Sequence, residues 1–212
     1  MRCAFFDFDG TVRAHDSIVS WVLFALRRVK MPLSDGLSVL VQSALCLLAR
    51  RGKPETLKTL ALRFEQRLSE AELDALIGAF IRKKILPRLR RDALRAVEDC
   101  RGKGYRVVLV SASTEDYMPA AAEALRADGL ICTRIENGTV QTNCRGAEKV
   151  RRIRAWAEEQ PEAIDFARSR AYGDTAGDLP MLRLVGEGFA VNPKRKLRRA
   201  AKKENIPILR WR

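Results

Sequence analysis

Several residue types are scarce in this chain, and each scarcity closes off a class of explanation. His15 is the only histidine in 212 residues. A lone histidine is more often incidental than catalytic, and no histidine metal centre can be built from it. The five cysteines (Cys3, Cys46, Cys100, Cys132 and Cys144) are odd in number, scattered, and contain no C-x-x-C pair. A disulfide framework and a zinc site are both disfavoured, and reduced thiols in a cytosolic setting are expected. Long apolar runs are absent. The longest, from Leu37 to Ala49, has thirteen residues, too few to cross a hydrocarbon core of about 30 Å. It is read as a buried helix, with a membrane-contacting helix as the alternative. No signal peptide fits at the start, because Met1-Arg2-Cys3 leads directly into an apolar strand. Acidic residues are also in deficit, 26 against 40 lysines and arginines, for a net charge of +14. Part of that excess is a C-terminal concentration: Lys194, Arg195, Lys196, Arg198, Arg199, Lys202, Lys203, Arg210 and Arg212, against Glu204 alone. With Trp211 as its only aromatic, the run reads as a solvated helix face rather than a nucleic-acid surface.

What is present begins with Phe5-Phe6-Asp7-Phe8-Asp9-Gly10-Thr11. Arg2 to Phe6 is a short apolar run that predicts a buried strand. Side chains two apart on a strand share a side, so Asp7 and Asp9 converge at its carboxyl end, and Gly10 permits the turn. Like charges at close range need a shared proton or a cation. Oxygen ligands suit Mg²⁺, and an Asp beside a metal can act as a nucleophile that forms an aspartyl-phosphate. A solvated acidic turn is the plainer reading of these seven residues.

Val12 to Asp16 predicts a loop. Four helices are then expected over 17–28, 33–51, 55–67 and from the capping box Ser69-Glu-Ala-Glu72 to near Pro87. Asp16 or Ser17 caps the first, and Lys30-Met-Pro32 and Gly52-Lys-Pro54 are the breaks. No strand signal occurs in 17–87. Beyond it the pattern alternates: strand 106–110, helix 117–127, strand 130–135, a hairpin turn at Glu136-Asn-Gly-Thr139, helix 147–159, strand 170–172, helix 179–184, strand 188–191, a basic helix capped by Asn192-Pro193, and a last strand 206–210. Alternation implies an α/β fold: a Rossmann-like, doubly wound parallel sheet with its crevice at the strands' carboxyl ends. Residues 1–16 and 88–212 form the core, and 17–87 form an all-helical cap inserted over the crevice.

Asp7-Phe-Asp-Gly-Thr11 resembles the signature of the haloacid dehalogenase-like hydrolases. Three further elements of that family follow in its order. Val108-Leu-Val-Ser111-Ala112-Ser113 matches the Ser at a strand end, Gly146-Ala-Glu-Lys149 the downstream Lys, and Tyr172-Gly-Asp174-Thr-Ala-Gly-Asp178 the second acidic loop. The resemblance implies an Mg²⁺-dependent phosphatase. Asp7 is the nucleophile and Asp9 the general acid and base. Mg²⁺ lies on Asp7, the backbone carbonyl of Asp9, and Asp174. Ser111, the N–H of Ala112, and Lys149 hold the phosphoryl group. Asp178 supports Lys149 or a metal-bound water, and Thr11 orders the loop.

The position of the cap, with Asp178-Leu-Pro-Met-Leu and Ala190-Val-Asn-Pro193, is similar to subfamily IB and its phosphoserine phosphatases. The chain departs from them at Gly10 (usually Ser), Asp16 (usually a substrate-binding Glu) and Gly177 (usually Asn). Asp16 could face a cationic substrate group or cap the first helix. The expected partner is a small phosphorylated metabolite, with cytoplasmic placement. A second reading is a lipid phosphatase at an anionic membrane surface, as in relatives with apolar caps acting on phosphatidylglycerophosphate. A third, nucleic-acid binding through the basic tail with an inactive site, is opposed by the intact constellation.

Overall fold

The computed structural model describes residues 1–30, 32–45 and 54–212. The end of the second expected helix, Cys46 and the Gly52-Lys53 break lie outside the described residues. At the centre is a six-stranded sheet in the order β3-β2-β1-β6-β7-β8, all parallel. Its strands are β1 (Cys3–Asp7), β2 (Arg106–Thr114), β3 (Gly129–Thr133), β6 (Arg170–Gly173), β7 (Glu187–Val191) and β8 (Ile208–Leu209). Between them a short antiparallel pair, β4 (Ile135–Glu136) and β5 (Thr139–Val140), closes the expected hairpin. Asn137 and Gly138 both take positive φ there, as a type I′ turn demands.

β1 is buried on both faces, as parallel strands between helical layers must be. The period of two divides its side chains. Ala4 and Phe6 join Val107, Leu109 and Tyr172 on one face, under α5 (Arg91–Gly102) and α6 (Met118–Ala124). Cys3 and Phe5 join Val108, Val110 and Ala171 on the other, under α7 (Ala147–Glu158), α8 (Leu179–Leu184) and α9 (Arg195–Lys203). Phe6, Tyr172 and Phe189 stack in series at 4.4 and 5.0 Å. Each buried Phe contributes about 1.5–3 kcal/mol from area alone.

Four helices precede β2's layer: α1 (Ser17–Leu26), α2 (Leu33–Ala44), α3 (Pro54–Glu65) and α4 (Glu70–Phe80). Asp16 is the N-cap of α1, accepting from Ile18 N and Val19 N. The Ser69–Glu72 capping box opens α4 with both reciprocal bonds. After Phe80 the coil widens into a π-turn over Ile81–Ile85 and tightens over Leu86–Arg88, so the fourth helix reaches Pro87 only through irregular turns. Trp21, Phe64 and Phe80 close on Tyr117 of the α/β part. The two crossings between helical segment and core lie side by side. Arg13 bridges Leu89, Ala14 N donates to Arg88 O, and Arg90 N donates to Val12 O.

Several expectations change. The described part of the apolar run, 37–45, is mostly not buried. Only Val39 and Ser43 are, while Leu33, Leu37, Leu40, Val41 and Leu45 face outward. Apolar residues encircle more of this helix than its neighbours can cover. Helix α5, to which no expectation attached, is strongly amphipathic and buries Ala93, Val97 and Cys100; its arginine-rich face hides the period. β2 runs past Val110 to Thr114. The basic helix α9 is capped at Lys194 rather than by Asn192-Pro193. Asn192 instead binds the backbone of Trp211 through both atoms of its amide.

Candidate active site

Adjacent parallel strands bring their carboxyl ends together. β1 ends at Asp7 and its neighbour β6 is followed by Asp174, with Phe6 opposite Tyr172 in register. A tight loop returns Asp178 to the same point, its carboxylate accepting from Thr175 N (2.9 Å) and Thr175 Oγ1 (2.8 Å). One oxygen each from Asp7, Asp174 and Asp178 lies within 4.8 Å of the others, and all three residues are buried. Gly10, at φ +93°, lets the first loop lie against the second. A Cβ there would stand 2.3 Å from Asp174 Oδ2. Any side chain at this position would therefore require Asp174 to move.

Lys149 sits in the first turn of α7 and is fully buried. Its ammonium donates to Asp7 Oδ1 (2.5 Å), Asp178 Oδ1 (2.6 Å) and Val110 O (3.2 Å). Burial works against that charge, but Asp178 and Asp7 outweigh it and raise the Lys149 pKa. Burial, then Asp178, push Asp7 well above the usual carboxylate range despite Lys149. Asp178 is buried too, but Lys149 and the two Thr175 bonds hold it below that range. Lys149 thus stands between the two carboxylates, and the second oxygen of Asp178 is taken up by Thr175. Thr11 Oγ1 donates to Asp7 Oδ2 at 3.0 Å.

Asp9 lines the same crevice but is not one of the trio. It accepts from Ser17 N, Ser17 Oγ and Ser113 Oγ, each at 2.7 Å. Arg13, with no exposed surface, stands 3.8 Å behind it. Burial, with the Asp16 charge adding, raises Asp9 to about 6. Ser111 is buried with its hydroxyl accepting from Ser113 N. Ala112 and Ser113 line the crevice. Asp16 caps α1 and also lines it.

The sequence reading passed over several lining residues. From α3, the buried Lys58 donates to Ala112 O at 2.6 Å and to Asn143 Oδ1. Asn143 Nδ2 donates in turn to Glu55 at 2.7 Å. Arg145 and Lys194 complete the wall of a cavity of about 160 Å³. Lys194, from the basic run read as pure surface, lies 3.3 Å from Asp174. Ser113, two residues beyond Ser111 on one strand, carried a usable signal. Lys58, Asn143 and Arg145 carried none, because nothing local distinguishes them from other polar residues.

The trio suits a hard cation. Three buried carboxylates meet one buried ammonium, and Asp174 Oδ1 is buried with no hydrogen-bond donor among the described residues. An all-oxygen donor set with an unmet lone pair is what Mg²⁺ prefers.

The haloacid dehalogenase-like hydrolase model matches residues 4–183. CicA of Caulobacter vibrioides is 31% identical over 191 residues, 86% of this chain and 82% of its own length. A histidinol-phosphatase of Neisseria meningitidis is 26% identical over 68% of this chain and 69% of its own. An "inhibition of morphological differentiation" protein of Streptomyces azureus is 33% identical over 65% of this chain, which spans 52% of that relative's length. Among solved structures, a Bordetella pertussis protein of unknown function superposes with a TM-score of 0.84 at 25% identity, covering 98% of this chain and 97% of its own. A phosphoserine phosphatase superposes at 0.64 and 19% identity, over 98% and 92%, a likeness of fold alone. Since the family match runs from β1 through α8 and takes in both acidic strand ends and the lysine between them, the chain belongs to the haloacid dehalogenase-like hydrolases.

Proposed function

We propose that this chain is an Mg²⁺-dependent phosphatase for a small phosphomonoester, with residues 1–16 and 88–212 as catalytic core and 17–87 as cap. The observation that carries the reading is Lys149, buried between Asp7 and Asp178 at 2.5 and 2.6 Å, with Asp174 beside them. In this reading Asp7 attacks phosphorus and forms an aspartyl-phosphate, while the P–O bond to the leaving alcohol breaks. Asp9 gives the leaving oxygen its proton, then takes one from the water that hydrolyses the intermediate and frees Asp7. A proton affinity near neutrality suits both duties. The ligands assigned to Mg²⁺ are Asp7, Asp174 and the backbone carbonyl of Asp9; when bound, the ion neutralises carboxylate and phosphoryl charge. Lys149, Ser111 and the Ala112 N–H face the transferring group, and Asp178 and Thr11 hold Lys149 and Asp7 in place.

Phosphoserine and histidinol phosphate head the substrate candidates, on the strength of relatives bearing those activities in their names. The small cavity favours a compact leaving group over a lipid. Glu55, Lys58 and Asn143 on its roof favour a polar one. The test is phosphate release, with and without Mg²⁺, from phosphoserine, histidinol phosphate, sugar phosphates, nucleotides and phosphatidylglycerophosphate. Asp7→Asn runs beside the wild type. Release by the wild type alone, and only with the metal, is expected. Release that persists in Asp7→Asn would remove the nucleophile from the account.

A further inference from the structure

The cap carries a surface that the crevice chemistry does not use. The side chains of Leu33, Leu37, Leu40 and Val41 on α2, with Leu45 at its C-cap, form one stripe, exposed from 37% at Leu45 to 89% at Leu33. The spacing of four and three residues places them on one side of the helix. Val39 and Ser43 on the other side are buried, and Gly36 lies close to Leu26 of α1. The only acid of α2, Asp35, is turned to Arg63 and Arg67 at 3.7 Å. So large an apolar strip on a surface otherwise rich in charge calls for a covering partner.

A second feature says which. Beside the α1–α2 connection, five residues before Leu33, a groove of about 480 Å³ is walled by Arg27, Arg28, Lys84 and Arg88, with Leu23 and Phe24 on its floor. Among the described residues no acid lines it, and Arg28 lies over the Phe24 ring at 3.7 Å. Four cations over an apolar floor fit an amphiphile with an anionic head. A second copy of the chain would set the same cations, and a net charge of +14, against themselves.

We propose that the cap docks on an anionic lipid bilayer, with α2 lying in the interface, its leucine stripe among the acyl chains, and the Arg27–Arg28–Lys84–Arg88 groove holding lipid phosphates. The surface serves this purpose whichever phosphomonoester the crevice hydrolyses.

The test is flotation of the full chain with vesicles of phosphatidylcholine alone, or with one third phosphatidylglycerol. Binding only to the anionic vesicles, weakened by salt, is expected. The pairs Leu37→Ser/Leu40→Ser and Arg27→Gln/Arg28→Gln are each expected to weaken it on the order of tenfold or more. Both pairs alter surface residues, so unchanged circular dichroism and melting temperature accompany the loss. Equal binding to both vesicle types, or a pair that binds like wild type, overturns the proposal. So does a dimer in sedimentation velocity that the leucine pair abolishes without vesicle binding, which gives the face to a second copy. DNA retention lost in the arginine pair alone, again without vesicle binding, gives the groove to nucleic acid.

Discussion

Asp174 has one oxygen near Lys194 and the other buried without a donor among the described residues. That imbalance predicts a cation effect measurable without substrate. Mg²⁺ at about a hundred times its dissociation constant stabilises the native state by about 2.7 kcal/mol and raises the melting temperature. Asp174→Asn removes most of the rise, because one anionic ligand and its charge are gone. An equal rise in the variant would place the ion elsewhere. Lys149→Met is more severe, since it leaves Asp7 and Asp178 facing each other without the ammonium that separates them. Removing one partner of such a buried cluster costs about 3–5 kcal/mol. Phosphate release falls with it, and Lys149→Arg restores neither, because a planar guanidinium cannot fill a three-way ammonium site. Denaturant unfolding and turnover on the same samples check both statements.

At the scale of the element, the junction between α3 and the α/β layer holds a proton. Glu65 is buried, accepts from Trp21 Nε1 at 2.8 Å, and faces Asp116. Burial, then the Asp116 charge, raise Glu65 to about 9. In the folded protein it therefore keeps a proton that the unfolded chain, near 4.5, has lost. Its contribution is whole below about pH 4.5 and disappears as pH rises through about 9. Glu65→Gln keeps the acceptor for Trp21 and cannot ionise. The decline of melting temperature between pH 5 and 9 flattens in this variant, and at pH 8 it is more stable by about 1–3 kcal/mol; a slope equal to the wild type's would show that Glu65 ionises freely. The Ser69–Glu72 capping box is simpler: Ser69→Ala costs about 1 kcal/mol in urea unfolding.

At the scale of the whole molecule, the cap is tied to the core over the crevice by one side chain in particular. Lys58 crosses from α3 to the Ala112 carbonyl and to Asn143, directly above the loop assigned to the phosphoryl group. Lys58→Met preserves the apolar stem and removes the tie. Turnover of a small phosphomonoester is expected to drop at least about tenfold, while the aromatic contacts of Trp21, Phe64, Phe80 and Tyr117 keep the cap folded. Unchanged kcat/KM with an intact melting curve would show that the tie is structural only.

The residues that could be read in the chain are those whose chemistry is local. Paired aspartates two apart at a strand end, a glycine where the turn needs positive φ, a capping box, an Asn-Gly hairpin and the alternation of periods two and three to four all act over a few residues. They were enough for the parallel sheet, the inserted helices and the family to which the chain belongs. Helix α5 escaped because charge covers its period, and the basic run concealed Lys194, since one lysine among nine cations has no local mark. What folding alone decided is what depends on distance across the chain. It set Lys149 between Asp7 and Asp178, brought Lys58 and Asn143 over the crevice, buried Arg13 behind Asp9, and left the leucines of α2 in the open. Local propensity and periodicity specify elements and their ends, but which side chains meet, and which apolar face stays uncovered, follows from how the layers close on one another.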